Sequence, residues 1–314
     1  KDTRISGYMF ESALQAGFIS SGIDVTLLGP LPTPGVSFLA NSNNQVGLVI
    51  SASHNLFEDN GIKFFNKDGQ KFSAELEKRI ESKLTQDMVA VDSINLGKAS
   101  RMSDAQGRYI EFCKSTFLDL DLSGLSILLD CANGATYSVA PKVFEELGAV
   151  VNTIGSSPDG ININQNCGST SPEFLKDEIT KGKYDIGIAF DGDGDRILII
   201  TSDGDILDGD DILYVLSQKL LKGSGVVGTL MTNKALEIYF EEKNINFLRA
   251  DVGDKYVLHQ LVENNWLLGG EPSGHIICLD SAPTGDAIIA ALKFLNLIKE
   301  NNFSIDQTLD NFKK

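Results

Sequence analysis

The chain reads as an α/β protein built from three consecutive, similar α/β domains, each a mixed sheet sandwiched by helices. Three observations carry this. Apolar, β-branched runs alternate with amphipathic segments along the whole length. One helix–stop–strand unit recurs three times, beginning near Glu11, Val143 and Leu236, with Gly22, Gly148 and Asn244 as the stops. The recurrence lies about 100–125 residues apart, which suits repeated domains rather than a short-period solenoid. Finally, 314 residues exceed what one hydrophobic core normally serves.

The spacing predicts strands at 25–28, 46–51, 126–130, 150–154, 185–190, 197–201, 226–231, 247–251 and 276–279. Helices are predicted at 7–20, 74–84, 141–147, 172–181, 210–221, 235–243, 255–264 and 286–300. Pro141 and Pro172 fall in first turns, where a missing N–H costs nothing, and Ser171 is the expected cap of the second. Polar, turn-rich stretches at 97–104 and 201–208 place the domains at 1–100, 101–205 and 206–314.

Net charge is −16 with a pI of about 4.6. No basic face is available for a nucleic-acid backbone. An anionic substrate must therefore be held by a few local cations. Hydrophobic content of 42% and a mean hydropathy of −0.03 suit a globular chain, and no apolar run approaches the ~20 residues of a bilayer span. Cys113, Cys131, Cys167 and Cys278 lack C-x-x-C spacing and read as reduced, mostly buried thiols of a cytoplasmic protein. No signal peptide is visible, although the chain opens at Lys1 without a methionine. Gly223-Ser224-Gly225-Val226-Val227-Gly228 matches a dinucleotide fingerprint but precedes a strand instead of following one, so it reads as a linker.

The chemistry concentrates in Asp191-Gly192-Asp193-Gly194-Asp195-Arg196, directly after a strand. Three carboxylates converging at a strand end suit a hard cation such as Mg²⁺. An EF-hand fails, because its sixth and twelfth positions would be Arg196 and Ser202. An aspartyl-phosphate phosphatase leaves the third aspartate unexplained. The remaining competitor is a solvated acidic turn, which like-charge repulsion disfavours unless a cation offsets it.

A second cluster, Ser51-Ala52-Ser53-His54-Asn55, also ends a strand and runs on to Lys63. A serine beside a histidine and near a lysine is an arrangement for an activated hydroxyl; a plain Ser/Asn turn reads equally well from these residues alone. A third loop is Gly270-Glu271-Pro272-Ser273-Gly274-His275, where Glu271 and Ser273 suit hydrogen bonding to sugar hydroxyls; a hairpin with a buried glutamate is the competing reading. Lys255, in Asp251-Val252-Gly253-Asp254-Lys255, is placed for a phosphate or simply at a helix start.

These three loops, in this order and spacing, resemble the α-D-phosphohexomutase superfamily over essentially the whole chain. Lys1-Asp2-Thr3-Arg4-Ile5-Ser6-Gly7, Asn60-Gly61-Ile62-Lys63-Phe64-Phe65 and Val252-Gly253-Asp254-Lys255-Tyr256-Val257 point to its branch acting on glucosamine phosphates. The resemblance implies that phosphorylated Ser53 passes its phosphoryl group to O1 of glucosamine 6-phosphate. A 1,6-bisphosphate then turns over in the site, also serving as activator, and glucosamine 1-phosphate, a precursor of UDP-N-acetylglucosamine, is left. One Mg²⁺ would be held by Asp191, Asp193, Asp195 and a phosphoserine oxygen. Ser53, His54, Lys63 and Arg196 form the implied catalytic set. Arg4, Lys255, Glu271, Ser273 and His275 form the implied substrate-binding set. A phosphosugar is the expected partner, in a monomer or homodimer. Mutases acting on glucose or mannose phosphates are the alternative, and a non-catalytic phosphosugar-binding protein a further one. Leu56, Lys255 and Pro272 depart from the family's usual residues. The resemblance also implies a segment before Lys1 and a fourth domain after Lys314, without which these residues alone are expected to be poor catalysts.

Overall fold

The computed structural model describes residues 1–299 and 305–309. Four separate sheets organise it. A five-stranded sheet has the order Val150–Ile154, Ser126–Asp130, Ile186–Phe190, Ile197–Thr201, Ile206–Leu207; its first three strands are parallel and the last two antiparallel. A four-stranded sheet runs Asn246–Ala250, Gly225–Thr229, Leu268–Gly270, Ile276–Cys278, with only the last strand antiparallel. Nearer the N-terminus, Gly47–Ile50 pairs antiparallel with Ile62–Phe65, while Val25–Leu27 pairs parallel with Ala99–Arg101. Parallel pairs need crossover helices, which explains why apolar runs and amphipathic segments alternate in the sequence.

All nine predicted strands form, with ends within two residues of those expected. Each of the three repeat units is a helix followed by a strand: Ser6–Ser20 then Val25–Leu27, Ala140–Glu146 then Val150–Ile154, Lys234–Lys243 then Asn246–Ala250. Gly22, Gly148 and Asn244 all adopt positive φ (82°, 99° and 56°), so the helix stops are left-handed turns. Strand Gly225–Thr229 takes up four of the six residues of the glycine-rich match, so the stretch expected as a linker is mostly buried strand.

Several expectations need correction. Ser171 does not cap the helix Glu173–Lys181; Pro172 occupies the cap position and no side chain accepts the first-turn N–H groups. The helix expected at 210–221 stops earlier, at Gly209–Ser217, and Glu300 of the helix expected at 286–300 lies outside the described residues. Three helices, Thr33–Ser42, Ala105–Ser115 and the short Ile305–Leu309, were not foreseen. The first opens on Pro34 at its N-terminus and buries Val36, Leu39 and Ala40 against Leu31 and Tyr109.

One large core runs through the molecule, from Val49 and Phe65 through Ile127, Ile188 and Phe190 to Val226, Leu292 and Phe294. Strands of three of the four sheets thereby share one core, and those ending at Ile50, Phe190 and Gly270 lead into the serine, acidic and third loops.

Candidate active site

The acidic loop follows the central strand Ile186–Phe190, all of whose residues are buried. Its backbone is gripped from three directions. Ala135 N donates to Gly192 O (2.8 Å), Thr33 N to Asp193 O (2.9 Å) and Ala287 N to Gly194 O (3.2 Å). Gly194 sits at φ 73°, where a side chain would be strained. A Cβ on Gly192 would lie 2.6 Å from Ser53 O, so only glycine lets the serine loop approach this closely.

Asp191, Asp193 and Asp195 are all buried, each with a carboxylate oxygen within 4.8 Å of the others. Asp191 Oδ1 accepts from the Asp195 and Arg196 backbone N–H groups, both at 3.1 Å. Ser53 Oγ donates to Asp191 Oδ2 at 2.6 Å. Lys63 Nζ donates to Asp193 Oδ2 at 2.6 Å and reaches Asp195 Oδ2 at 3.4 Å. Thr33 Oγ1 donates to the same Asp193 oxygen. Asp193 Oδ1 and Asp195 Oδ1 are buried with no hydrogen-bond donor. Buried anionic oxygens without donors are costly, and two of them converging with a third carboxylate fit an oxygen-preferring divalent cation.

The charges answer to this packing. Burial pushes the Asp191 carboxyl well above the usual range, and Asp195 and Asp193 add to the rise. Burial also pushes Asp195 up, but Lys63 and His275 outweigh it and hold the carboxyl well below the usual range. Lys63 loses by burial yet gains more from Asp193 and Asp195, which keep it a firm ammonium. Burial, then Arg196, lowers His54, whose Nδ1 is buried without a partner.

Ser53 itself stands at φ 51°, in the left-handed region. Its N–H donates to Ser51 Oγ at 3.0 Å. Arg4 departs from the substrate contact expected of it. It is fully buried, ion-pairs with Asp2, and spends its remaining donors on the serine loop: Ser51 Oγ, the carbonyls of Ser53 and Asn55, and Leu56 O. With no donor left at the surface, it supports the loop instead of reaching into solvent.

His275 is 3% exposed, with Nδ1 3.7 Å from Asp195 Oδ1 and Nε2 3.7 Å from Asp254 Oδ2. Asp254 also pairs with Lys71, so charged groups bridge from the 62–71 hairpin through the third loop to the acidic loop. Glu271 is buried and its Oε1 accepts from Gly253 N at 2.9 Å, tying the third loop to the 251–255 turn. Ser273 is exposed. Lys255 is exposed, with Nζ 5.0 Å from the Tyr256 ring centroid. Thus Ser53, Lys63, the three aspartates, Arg196 and His275 come together directly, whereas Lys255 makes its contact elsewhere. Two site residues were missed in the sequence: Thr33, hidden in a proline-flanked stretch, and Asn164, which donates to the carbonyls of Ser53 (2.9 Å) and Asn55 (2.8 Å).

Comparison with known proteins agrees with this layout. Family models of phosphoglucomutase/phosphomannomutase alpha/beta/alpha domains I, II and III match residues 1–90, 107–204 and 208–314. The chain belongs to the phosphoglucomutase/phosphomannomutase family, that is, to the phosphohexomutases. Its similar relatives include the phosphoglucosamine mutase of Acinetobacter baumannii, 53% identical over all of this chain and 71% of that protein. The phosphoglucosamine mutase of Legionella pneumophila is also 53% identical, over 98% of this chain and 69% of its own. Among solved structures, a phosphoglucomutase/phosphomannomutase family protein of Burkholderia thailandensis superposes at TM-score 0.86 with 24% identity, covering all of this chain and 70% of that one. Aspergillus fumigatus N-acetylphosphoglucosamine mutase, solved with GlcNAc-6P and magnesium, superposes at 0.66 with 17% identity, over 90% of this chain and 77% of its own.

Proposed function

We propose that this chain interconverts glucosamine 6-phosphate and glucosamine 1-phosphate, through a phosphoryl group carried on Ser53. The observation that carries the proposal is Ser53 Oγ at 2.6 Å from Asp191, at the edge of three buried carboxylates. Relatives at 53% identity named phosphoglucosamine mutase support the amino-sugar substrate over glucose or mannose phosphates.

Asp191, Asp193 and Asp195, with a phosphoserine oxygen, would hold one Mg²⁺. Such an ion, when bound, offsets phosphate charge and makes phosphorus more electrophilic. The chain's own groups do the rest. In the forward direction the sugar O1 attacks phosphorus and forms an O1–P bond. The P–Oγ bond breaks, and its electron pair stays on Ser53. The O1 proton leaves to a base, for which His54 is the neighbouring candidate. Lys63, held as an ammonium, and Arg196 offset charge on the transferring group. The resulting 1,6-bisphosphate turns over, Ser53 Oγ attacks the 6-phosphoryl, and O6 leaves with a proton. The same bisphosphate, added from outside, charges an unphosphorylated Ser53. Glu271 and Ser273 would meet sugar hydroxyls, His275 would orient beside Asp195, and Lys255 would meet the distal phosphate.

The division at 1–100, 101–205 and 206–314 fits the separate sheets to within two residues: Arg101 still pairs with Leu27, and Ile206–Leu207 still pairs with Ile197–Thr201, so each boundary falls slightly later along the chain. Four unpaired, buried cysteines suit a reducing, cytoplasmic setting. Amino-sugar and cell-wall precursor synthesis is the process the activity would serve. The protein would work as a monomer or homodimer.

The test compares turnover of glucosamine, glucose and mannose 6-phosphates by the full-length protein in Mg²⁺ with added 1,6-bisphosphate. The highest kcat/KM is expected for glucosamine 6-phosphate; a preference for either other sugar overturns the assignment.

A further inference from the structure

Asn164 lies in the 155–169 segment that joins the five-stranded sheet to its next helix, more than 100 residues from the serine loop. Its side chain is nonetheless 4% exposed and its Nδ2 donates to two carbonyls of that loop, Ser53 O at 2.9 Å and Asn55 O at 2.8 Å. Arg4 Nη2 donates to the same two carbonyls from the other side. Two facing carbonyl acceptors fix which end of the amide points at the loop. The other end, Oδ1, is buried without a partner. A buried acceptor left unsatisfied costs free energy, so the arrangement favours the two donated bonds at the expense of the asparagine itself. Its backbone stands at φ 58°, a conformation asparagine tolerates better than most residues.

The anchor for this side chain is the one that holds the acidic loop. Asn164 N donates to Ala132 O at 2.8 Å, and three residues later Ala135 N donates to Gly192 O at 2.8 Å. A Cβ on Gly134 would lie 2.4 Å from Gly192 O, so the 132–135 turn is pressed against the acidic loop. One rigid turn, at the end of strand Ser126–Asp130, therefore supports both the aspartates and the asparagine that grips the serine loop.

We infer that Asn164 is a positioning residue for phosphoryl transfer: by clamping the carbonyls on either side of His54 it holds Ser53 in register with the aspartates. The inference rests on the phosphoserine reading above. Among the described residues, Asn164 donates its hydrogen bonds to carbonyls, and none goes to Ser53 Oγ or to a carboxylate. Its loss should therefore slow the transfer step without weakening substrate or metal binding.

Two variants separate the donors from the backbone. Asn164→Asp keeps the shape and the left-handed tendency, while Asn164→Gly keeps the backbone freedom; both lose the two donated bonds. Steady-state turnover, a Mg²⁺ titration and thermal melting are measured on the purified wild type and both variants. With two hydrogen bonds at stake, kcat is expected to fall about 10- to 100-fold in each folded variant. KM and the Mg²⁺ half-saturation should stay within about threefold, well below the tenfold that marks a lost binding contact. A kcat within that margin of wild type in either folded variant overturns the inference, as does a loss carried by KM. A full-length wild type that turns over no phosphosugar would instead sink the functional reading, so the two failures are distinct; all three proteins are therefore compared as full-length chains.

Discussion

Gly192 is where the two reacting loops touch. An added methyl at its Cβ position meets Ser53 O at 2.6 Å, Asn164 Nδ2 at 2.7 Å and Ile163 Cδ1 at 2.8 Å. None of these can retreat freely, since Ser53 O is held by Arg4 and Asn164 and Ile163 is fully buried. Gly192→Ala is therefore expected to cost about 1–3 kcal/mol in stability, the usual penalty of overpacking. It should also slow turnover at least tenfold by separating Ser53 from Asp191, a loss of about 1.4 kcal/mol in the barrier. Denaturant unfolding and kinetics on the one variant check both parts. At this scale the sequence reveals what carries a chemical signature. The aspartates and Ser53 stand in short motifs at strand ends. Asn164 is one asparagine among several in Asn162-Ile163-Asn164-Gln165-Asn166, and only the folded chain brings it to Ser53. Arg4 is legible as a cation, but its burial is a tertiary fact, which is why its place differs from the expected substrate contact.

Among the elements, the helix Ala287–Lys299 supports the site from behind. Asp286 Oδ1 accepts from Ile288 N and Ile289 N, both at 3.0 Å, and Oδ2 accepts from Tyr109 OH at 3.0 Å. The next residue, Ala287, donates to the acidic loop. Burial pushes Asp286 up to about 6, against an ordinary value of 3.8, while the capping N–H groups and Tyr109 hold it back. Because the folded value lies above the unfolded one, the protonated form is favoured by folding. That contribution is full below the unfolded value and is lost as pH rises through about 6. Asp286→Asn does not ionise and keeps a capping oxygen. Relative to wild type it should therefore gain stability between about pH 5 and 7.5, by about 1.4 kcal/mol. Denaturant unfolding at both pH values measures this; an unchanged gap contradicts it. Helices of this kind were readable where apolar periodicity was strong. Thr33–Ser42 was not, because Pro32, Pro34 and Gly35 are turn-type residues that mask a helix start, although proline is at home in a first helical turn. The strands Ala99–Arg101 and Ile206–Leu207 are two or three residues long and largely exposed, too short to leave a period-2 pattern. Central strands such as Ser126–Asp130 were legible to the residue, because burial on both faces enforces a continuous apolar run.

In the whole molecule, three of the four sheets lead strand ends toward a single site. The grips on the acidic loop's backbone come from Thr33, Ala135 and Ala287, one from each of the three matched regions of the chain, and Lys63 and His275 both approach its carboxylates. Serine and metal loops are thus supplied by different parts of the chain, and the site exists only once these regions have packed together. Lys71 and Asp254 extend the bridge between the first hairpin and the third loop. This explains an economy in the sequence: with a net charge of −16, few cations remain for an anionic ligand, and Lys63 and Arg196 stand at the acidic loop.

The central claim is that Ser53 carries the phosphoryl group opposite the three aspartates. The most direct measurement is intact-mass analysis with peptide mapping after incubation with glucosamine 1,6-bisphosphate and Mg²⁺. The account predicts one added phosphoryl group, mapped to Ser53, discharged by glucosamine 6-phosphate and absent in Ser53→Ala. The same mass gain persisting in Ser53→Ala, or mapping to another residue, would contradict it.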